Sequence, residues 1–274
     1  MTPEPMFLFI YVALWLFFIY SFVGVFIEML YCWMFEYRGV IESRLGILYL
    51  PFNLLYGTGG VFISLLLFPA IENPLAVFGL GMLVGSALEY MTSLVMEKLF
   101  HAVYWDYSKE FLNVQGRICL KYAVIWGFLS LMLLYVLDVV NIRLLERIPL
   151  EIGIPVLTVL VLATMFSIVL TLMSYRRTSQ KNAYLTALKS GQTVVLPSPR
   201  WGRMVDRLVP DRVLVNSFPR MSLVTEYQEL SGHHRKLIIW LPSIGKPTKV
   251  MTDAGDRARA QERERLVASV GGAS

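Results

Sequence analysis

Long apolar stretches separated by short polar ones dominate the first two-thirds of the chain. Five runs, roughly 6–35, 45–70, 75–98, 118–138 and 153–174, are long enough to span a bilayer as helices, which takes about 20 residues. They predict an all-α integral membrane protein with about five transmembrane helices. Residues 1–175 form the bundle and residues 176–274 a basic tail with little regular structure. The second run is interrupted by Pro51, Gly57, Gly59, Gly60 and Pro69. Such breakers survive in a membrane where neighbouring helices or a polar cavity satisfy the freed backbone groups. Asn53, Tyr56 and Thr58 stand beside the break, so it marks either a lined site or a kinked packing helix.

In the tail, residues 178–190 continue as a short interfacial helix. Residues 191–250 carry the runs TVVL, RVLV and LIIW among Pro and Gly, which predicts a few strands or little order. Residues 253–268 read as a charged, solvated helix or a disordered end.

Composition agrees with the apolar pattern. The chain has 274 residues, 56% hydrophobic and only 16% charged, where a soluble domain has about 25% charged. Residues 1–174 hold 8 Lys/Arg and 12 Asp/Glu, whereas residues 175–274 hold 17 and 8. A basic end on such a chain suits a cytoplasmic face opposite anionic lipid. Nucleic acid is not an expected partner, because no basic–aromatic module is present. The loops near 36–45 and 98–121 carry Arg38, Arg44, Lys98, Lys109, Arg117 and Lys121, against Arg143 and Arg147 on the other side. The positive-inside rule then places the protein in the cell membrane with its N-terminus outside and its C-terminus in the cytoplasm. No positive charge precedes the first run, so that run reads as a retained span rather than a cleaved signal. Cys32 and Cys119 fall near cytoplasmic helix ends, where thiols stay reduced.

The first and third runs share Val-Gly-x-x-x-Glu, at Val23–Glu28 and Val84–Glu89. In each, Gly and Glu lie four residues apart on one helix face. Arg44 stands five residues before Tyr49, and Arg117 five before Tyr122. This is the pattern of a tandem two-helix repeat, the halves related by an axis along the membrane normal.

Glu28 and Glu89 are the foremost candidate pathway residues, with Asn53 and Tyr56 beside them. Each acid sits eight or nine residues before the predicted end of its span, roughly 12–13 Å inside at 1.5 Å per residue. A carboxylate facing acyl chains costs at least a few kcal/mol, so both must face the interior. There they form a polar or proton-coupled site, or else interior salt bridges with Arg44, Arg117 or Lys121. For these three cations, snorkelling to the headgroups is the ordinary expectation. Gly24, Gly81 and Gly85 on the corresponding faces allow close helix approach.

The loop EKLFHAVYWDYSKEFLNVQGR, residues 97–117, offers the contact candidates Glu97, His101, Trp105, Asp106, Asn113 and Arg117. Its aromatics suit an interfacial belt. His101 and Asp106 have the His-x-x-x-x-Asp spacing of glycerolipid acyltransferases, but that chemistry needs a soluble domain larger than this loop. Glu97 and His101 lack a convincing third metal ligand. There is no phosphate-binding P-loop, no Gly-x-Ser-x-Gly elbow and no Cys-x-x-Cys pair, so no enzyme activity, metal or cofactor is expected.

The chain resembles a bacterial membrane family, the CmpB-like type IV ABC-transporter permeases. The resemblance rests on YSFVGVFIE (20–28), SRLGILYLPFNLLYGTGG (43–60) and LEYMTSLVMEKLFHAVYWDYSKEFLNVQGRICL (88–120), within roughly 16–137. The positions that carry it are Gly24, Glu28, Pro51, Tyr56, Gly57, Glu89, Glu97, His101, Trp105, Asp106, Asn113, Gly116 and Arg117. It implies a transporter membrane subunit. An ATP-driven version needs a separate ATPase, because this chain has no P-loop, and five spans are few for a permease, which points to a homo-oligomer. The resemblance supplies no substrate and no catalytic residue. Two other readings stay open: an accessory or sensory protein that anchors a basic tail, and a small membrane-embedded lipid-modifying enzyme.

Overall fold

Helix α1, Pro5–Tyr31, ends in a π turn at Cys32–Glu36. In the computed structural model, residues 5–36, 41–100, 102–189, 199–219, 221–230 and 233–240 are described. Residues 41–53 are non-helical and lead to α2, Leu54–Leu67, which closes in a 3₁₀ turn at Phe68–Ala70. Helix α3 is Pro74–Phe100. Helix α4, Leu120–Met132, passes through a π turn at Leu133–Leu137 into α5, Asp138–Leu145. Helix α6 runs Leu150–Lys189.

Among the described residues, four helices, Pro5–Phe35, Pro74–Phe100, Leu120–Leu145 and Leu150–Lys181, are long and apolar enough to cross a membrane. The apolar helix Leu54–Ala70 is shorter. Large side chains such as Leu83, Phe128, Leu162 and Phe166 are exposed along these helices. Against water these faces would be costly, and against lipid they are the ordinary surface, as expected of an all-α membrane bundle.

The second apolar run is helical only from Leu54, because Pro51 and the positive φ of Tyr49 turn the preceding chain. Asn53 caps α2: its side-chain oxygen accepts from the Leu55 N–H at 3.1 Å. The irregular backbone is satisfied from neighbours. The Gly46 N–H donates to the Phe52 carbonyl at 2.9 Å and the Asn53 N–H to the Ser21 carbonyl at 3.0 Å. The Leu48 N–H donates to Thr171 Oγ1 at 3.0 Å, and Ser167 donates to the Leu48 carbonyl. Two α6 hydroxyls therefore do for this segment what a helical turn would have done.

The main core joins α1, α2, α3 and α4–α5 around Tyr20, Ile63, Leu67, Val77, Trp126 and Leu134. Beyond it, helix α7 (Arg200–Leu208) and helix α8 (Asp211–Ser217) begin after Pro199 and Pro210. They fold back so that Val209, Leu214, Phe218 and Met221 share a second core with Leu48, Ala102, Leu170 and Tyr175. Strands β2 (Ser222–Leu230) and β3 (His233–Trp240) form an antiparallel hairpin, whose β2 pairs with β1 (Ala102–Val103) after α3. The expected LIIW strand lies in β3. RVLV, residues 212–215, is instead part of α8: a four-residue run carries no period, and Pro210 starts a helix there. TVVL and residues 253–268 lie outside the described residues.

Candidate functional site

The two Gly-x-x-x-Glu segments make corresponding contacts. In the first hairpin, the missing side chain of Gly24 leaves room for Tyr56 of α2, and Gly60 of α2 leaves room for Tyr20. In the second, Gly85 leaves room for Trp126 of α4, and Gly81 for Ser130. Each hairpin thus packs in two layers one helical turn apart, with glycine opposite a larger side chain in each. Tyr56 and Trp126 then stack on one another between the hairpins, with ring centres 5.7 Å apart.

This packing places Glu28 and Glu89 around the same aromatic pair. Glu28 accepts from Asn53 Nδ2 at 3.2 Å, and its other oxygen lies 3.9 Å from Arg44. Tyr56 lies within hydrogen-bonding reach of Glu28 and within electrostatic reach of Glu89. Glu89 is 5% exposed and accepts from the Tyr107 hydroxyl at 3.0 Å and from Trp126 Nε1 at 3.2 Å. Both donors are neutral, and no cationic side chain among the described residues pairs with Glu89. Tyr107 comes from the loop after α3. Burial, then the charge of Glu89, raises its pKa well above the ordinary tyrosine value, which keeps its proton in place to donate. Tyr107 also stacks on Tyr122 with centres 4.4 Å apart. The arrangement can hold negative charge, a proton or a cation in a largely apolar bundle.

The loop candidates hold the loop together. Arg117, buried to 4% exposure, pairs with the equally buried Glu97 at 2.8 Å and donates to Ser93 at 3.0 Å. The expectation that Arg117 snorkels is therefore replaced: its partner is an acid two turns along α3 from Glu89. Trp105 Nε1 donates to the Arg117 carbonyl at 2.8 Å. Asp106 accepts from the Ser108 N–H at 3.0 Å, which fixes a turn. The Asn113 amide donates to the Ser108 and Glu110 carbonyls and accepts from the Gly116 N–H. Gly116, at φ 67°, sits in the left-handed region next to Asp106. Phe111, Leu112 and Val114 are left exposed at the tip. His101 lies outside the described residues.

A second interior polar cluster escaped the sequence reading. Asp138 accepts from Tyr20 and, at 3.0 Å, from Ser64, and Asn141 reaches Tyr20. The fourth apolar run, 118–138, ends at Asp138. The helix instead continues to Leu145, and the π turn before Asp138 rephases it so that Asp138 and Asn141 are buried. An isolated acid flanked by LMLLYVL and VVNI was the available signal.

A family model described as "Putative ABC-transporter type IV" matches residues 15–172. The chain belongs to this family. The match includes every candidate residue above and also the fifth apolar run, which the sequence resemblance had left outside. No curated protein and no solved structure matches the chain. The long apolar helices and the family make this a membrane protein, and the family's description suggests an ABC-transporter component.

Proposed function

We propose that the protein is the membrane-spanning permease subunit of an ABC-type transporter, with Glu28 and Glu89 forming its interior polar site. The observation that carries this reading is the meeting of two acids, from separate helices, on one Tyr56–Trp126 stack inside an apolar bundle. An intramembrane acid with only neutral donors, as at Glu89, is the arrangement expected of a proton or ion pathway. The matching layers of the two hairpins support a tandem repeat with the site on its axis.

The loop from Ala102 to Cys119 is the proposed docking element for a separate ATPase. It is internally braced and shows Phe111, Leu112 and Val114 at its tip. Its end of the bundle also carries Arg44, Lys121, Arg177 and Lys181. Bonds from Tyr49 to the Leu208 carbonyl and from Ser43 to the Ser217 carbonyl bring the tail to the same end. That end reads as cytoplasmic, with the N-terminus outside and residues 176–274 inside.

The test is a pull-down of the tagged full chain from gently solubilised native membranes. A stoichiometric P-loop ATPase supports the permease reading, and its loss on Phe111→Ser with Leu112→Ser places the contact. Recovery of the protein alone, or only with itself, overturns the ATP-driven reading. In the recovered complex, Glu89→Gln lowers bilayer-stimulated ATP hydrolysis by about tenfold or more if the acid serves the pathway. Unchanged hydrolysis would make Glu89 a packing residue.

A further inference from the structure

The described part of the tail contains a feature that the bundle site does not use. Helix α7, RWGRMVDRL, has two chemically distinct sides. At 3.6 residues per turn, Arg200, Arg203, Met204 and Arg207 fall within an arc of about 100°, and all four are exposed, with Leu208 exposed beside them. They border an open groove of about 380 Å³. On the opposite side Gly202 and Val205 are buried.

The inner side is fastened to α6 where its apolar stretch ends. Arg177 donates to Asp206 through Nε at 3.1 Å and Nη2 at 2.8 Å, and Lys181 reaches the same carboxylate at 2.8 Å. Gly202 lets the Arg177 guanidinium lie against the α7 backbone, and Arg176 sits over the Trp201 ring at 5.6 Å. Asp211, the next acid, is held by Lys181 at 2.9 Å. Both carboxylates near α7 are therefore engaged by α6 cations. The outer face exposes Arg200, Arg207, Met204 and Leu208, beside the end of the apolar stretch of α6.

We infer that α7 is an interfacial helix that binds anionic phospholipid. Arg200 and Arg207 take headgroup phosphates, while Met204 and Leu208 enter the acyl boundary. The chemistry is that of arginine with phosphate oxygens, for which the planar guanidinium offers paired donors. Basic residues interleaved with apolar ones on one exposed face are the composition of a helix lying in the membrane surface. A membrane is the occupant that charge and position select, because α7 is fixed to the end of a membrane-spanning helix. The inference rests on the membrane location alone and not on the permease reading.

The full-length protein, purified in a zwitterionic detergent, is titrated with phosphatidylglycerol or phosphatidylcholine, and bound lipid is counted by native mass spectrometry. Two surface arginines give a preference for phosphatidylglycerol on the order of 10-fold or more. R200Q with R207Q reduces this severalfold, and R200K with R207K, which keeps the charge but not the paired donors, restores part of it. The conservative pair keeps the test valid if the glutamine variant melts early. Equal retention of both lipids by the native protein, or an unchanged preference in the glutamine variant, overturns the inference. Displacement of phosphatidylglycerol by inorganic phosphate at equal concentration also overturns it, because the site would then read a free anion rather than a membrane.

Discussion

Replacing Arg117 by methionine removes a guanidinium that is 4% exposed, 2.8 Å from Glu97 and 3.0 Å from Ser93. The change leaves a carboxylate that is itself only 2% exposed without that cation. Breaking a buried pair from one side costs about 3–5 kcal/mol, since the remaining charge keeps its desolvation penalty. Loss of the Ser93 bond adds about 1 kcal/mol. At roughly 2–4 °C per kcal/mol for a chain of this size, the thermal midpoint in detergent falls by on the order of 10 °C. Glu97→Leu alone should do similar damage from the other side. Together, R117M and E97L remove both charges and fill the same space, so the double variant returns to within about 2 kcal/mol of the native protein. The assay is a double-mutant cycle by reversible unfolding in mixed micelles, read from tryptophan fluorescence. Single variants costing under about 1 kcal/mol, the range of exposed pairs, would refute the reasoning. So would a double variant whose loss equals the sum of the singles.

Three further outcomes follow from the packing and charge described. Gly85→Ala pushes a methyl into the Trp126 side chain and should destabilise by about 1–3 kcal/mol. Gly79→Ala, with nothing within 4 Å, should stabilise by roughly 0.5–1 kcal/mol; equal effects in the same unfolding assay would contradict the assigned interface. Asp138→Ala strips the Tyr20 and Ser64 hydroxyls of their acceptor and should cost about 1–3 kcal/mol, whereas Asp138→Asn keeps an acceptor and is better tolerated. The Arg177 guanidinium, with help from Lys181, holds the Asp206 carboxyl below its ordinary value of 3.8. A depressed carboxylate stabilises above its unfolded pKa, and that contribution is lost as pH falls through the folded value. Docking of α7 should therefore loosen below about pH 4, seen as faster proteolysis between α7 and α8, and Asp206→Asn should loosen it already at neutral pH.

The membrane class was legible in sequence because it depends on runs of about 20 apolar residues, a one-dimensional property. Family membership was legible from contiguous strings, most of all the residues 88–120 that build α3 and its loop. Glu28 and Glu89 stood out individually because acids are rare in such helices. Their placement on one Tyr56–Trp126 stack did not, because it depends on glycines that let two hairpins approach. The partner of Arg117 was equally hidden: Glu97 lies 20 residues away in sequence and meets it only because the loop folds back on α3. The burial of Asp138 was not legible, because the π turn before it changes helical phase without a breaking residue. In the tail, four-residue apolar runs are too short to show a period, so helix α8 and strand β3 looked alike. The sequence alone determined which segments enter the membrane and which residues are too polar to face it. Only the tertiary structure decided which of those residues meet, because side-chain pairing across helices is set by packing distance and helical phase, neither of which is written in any single segment.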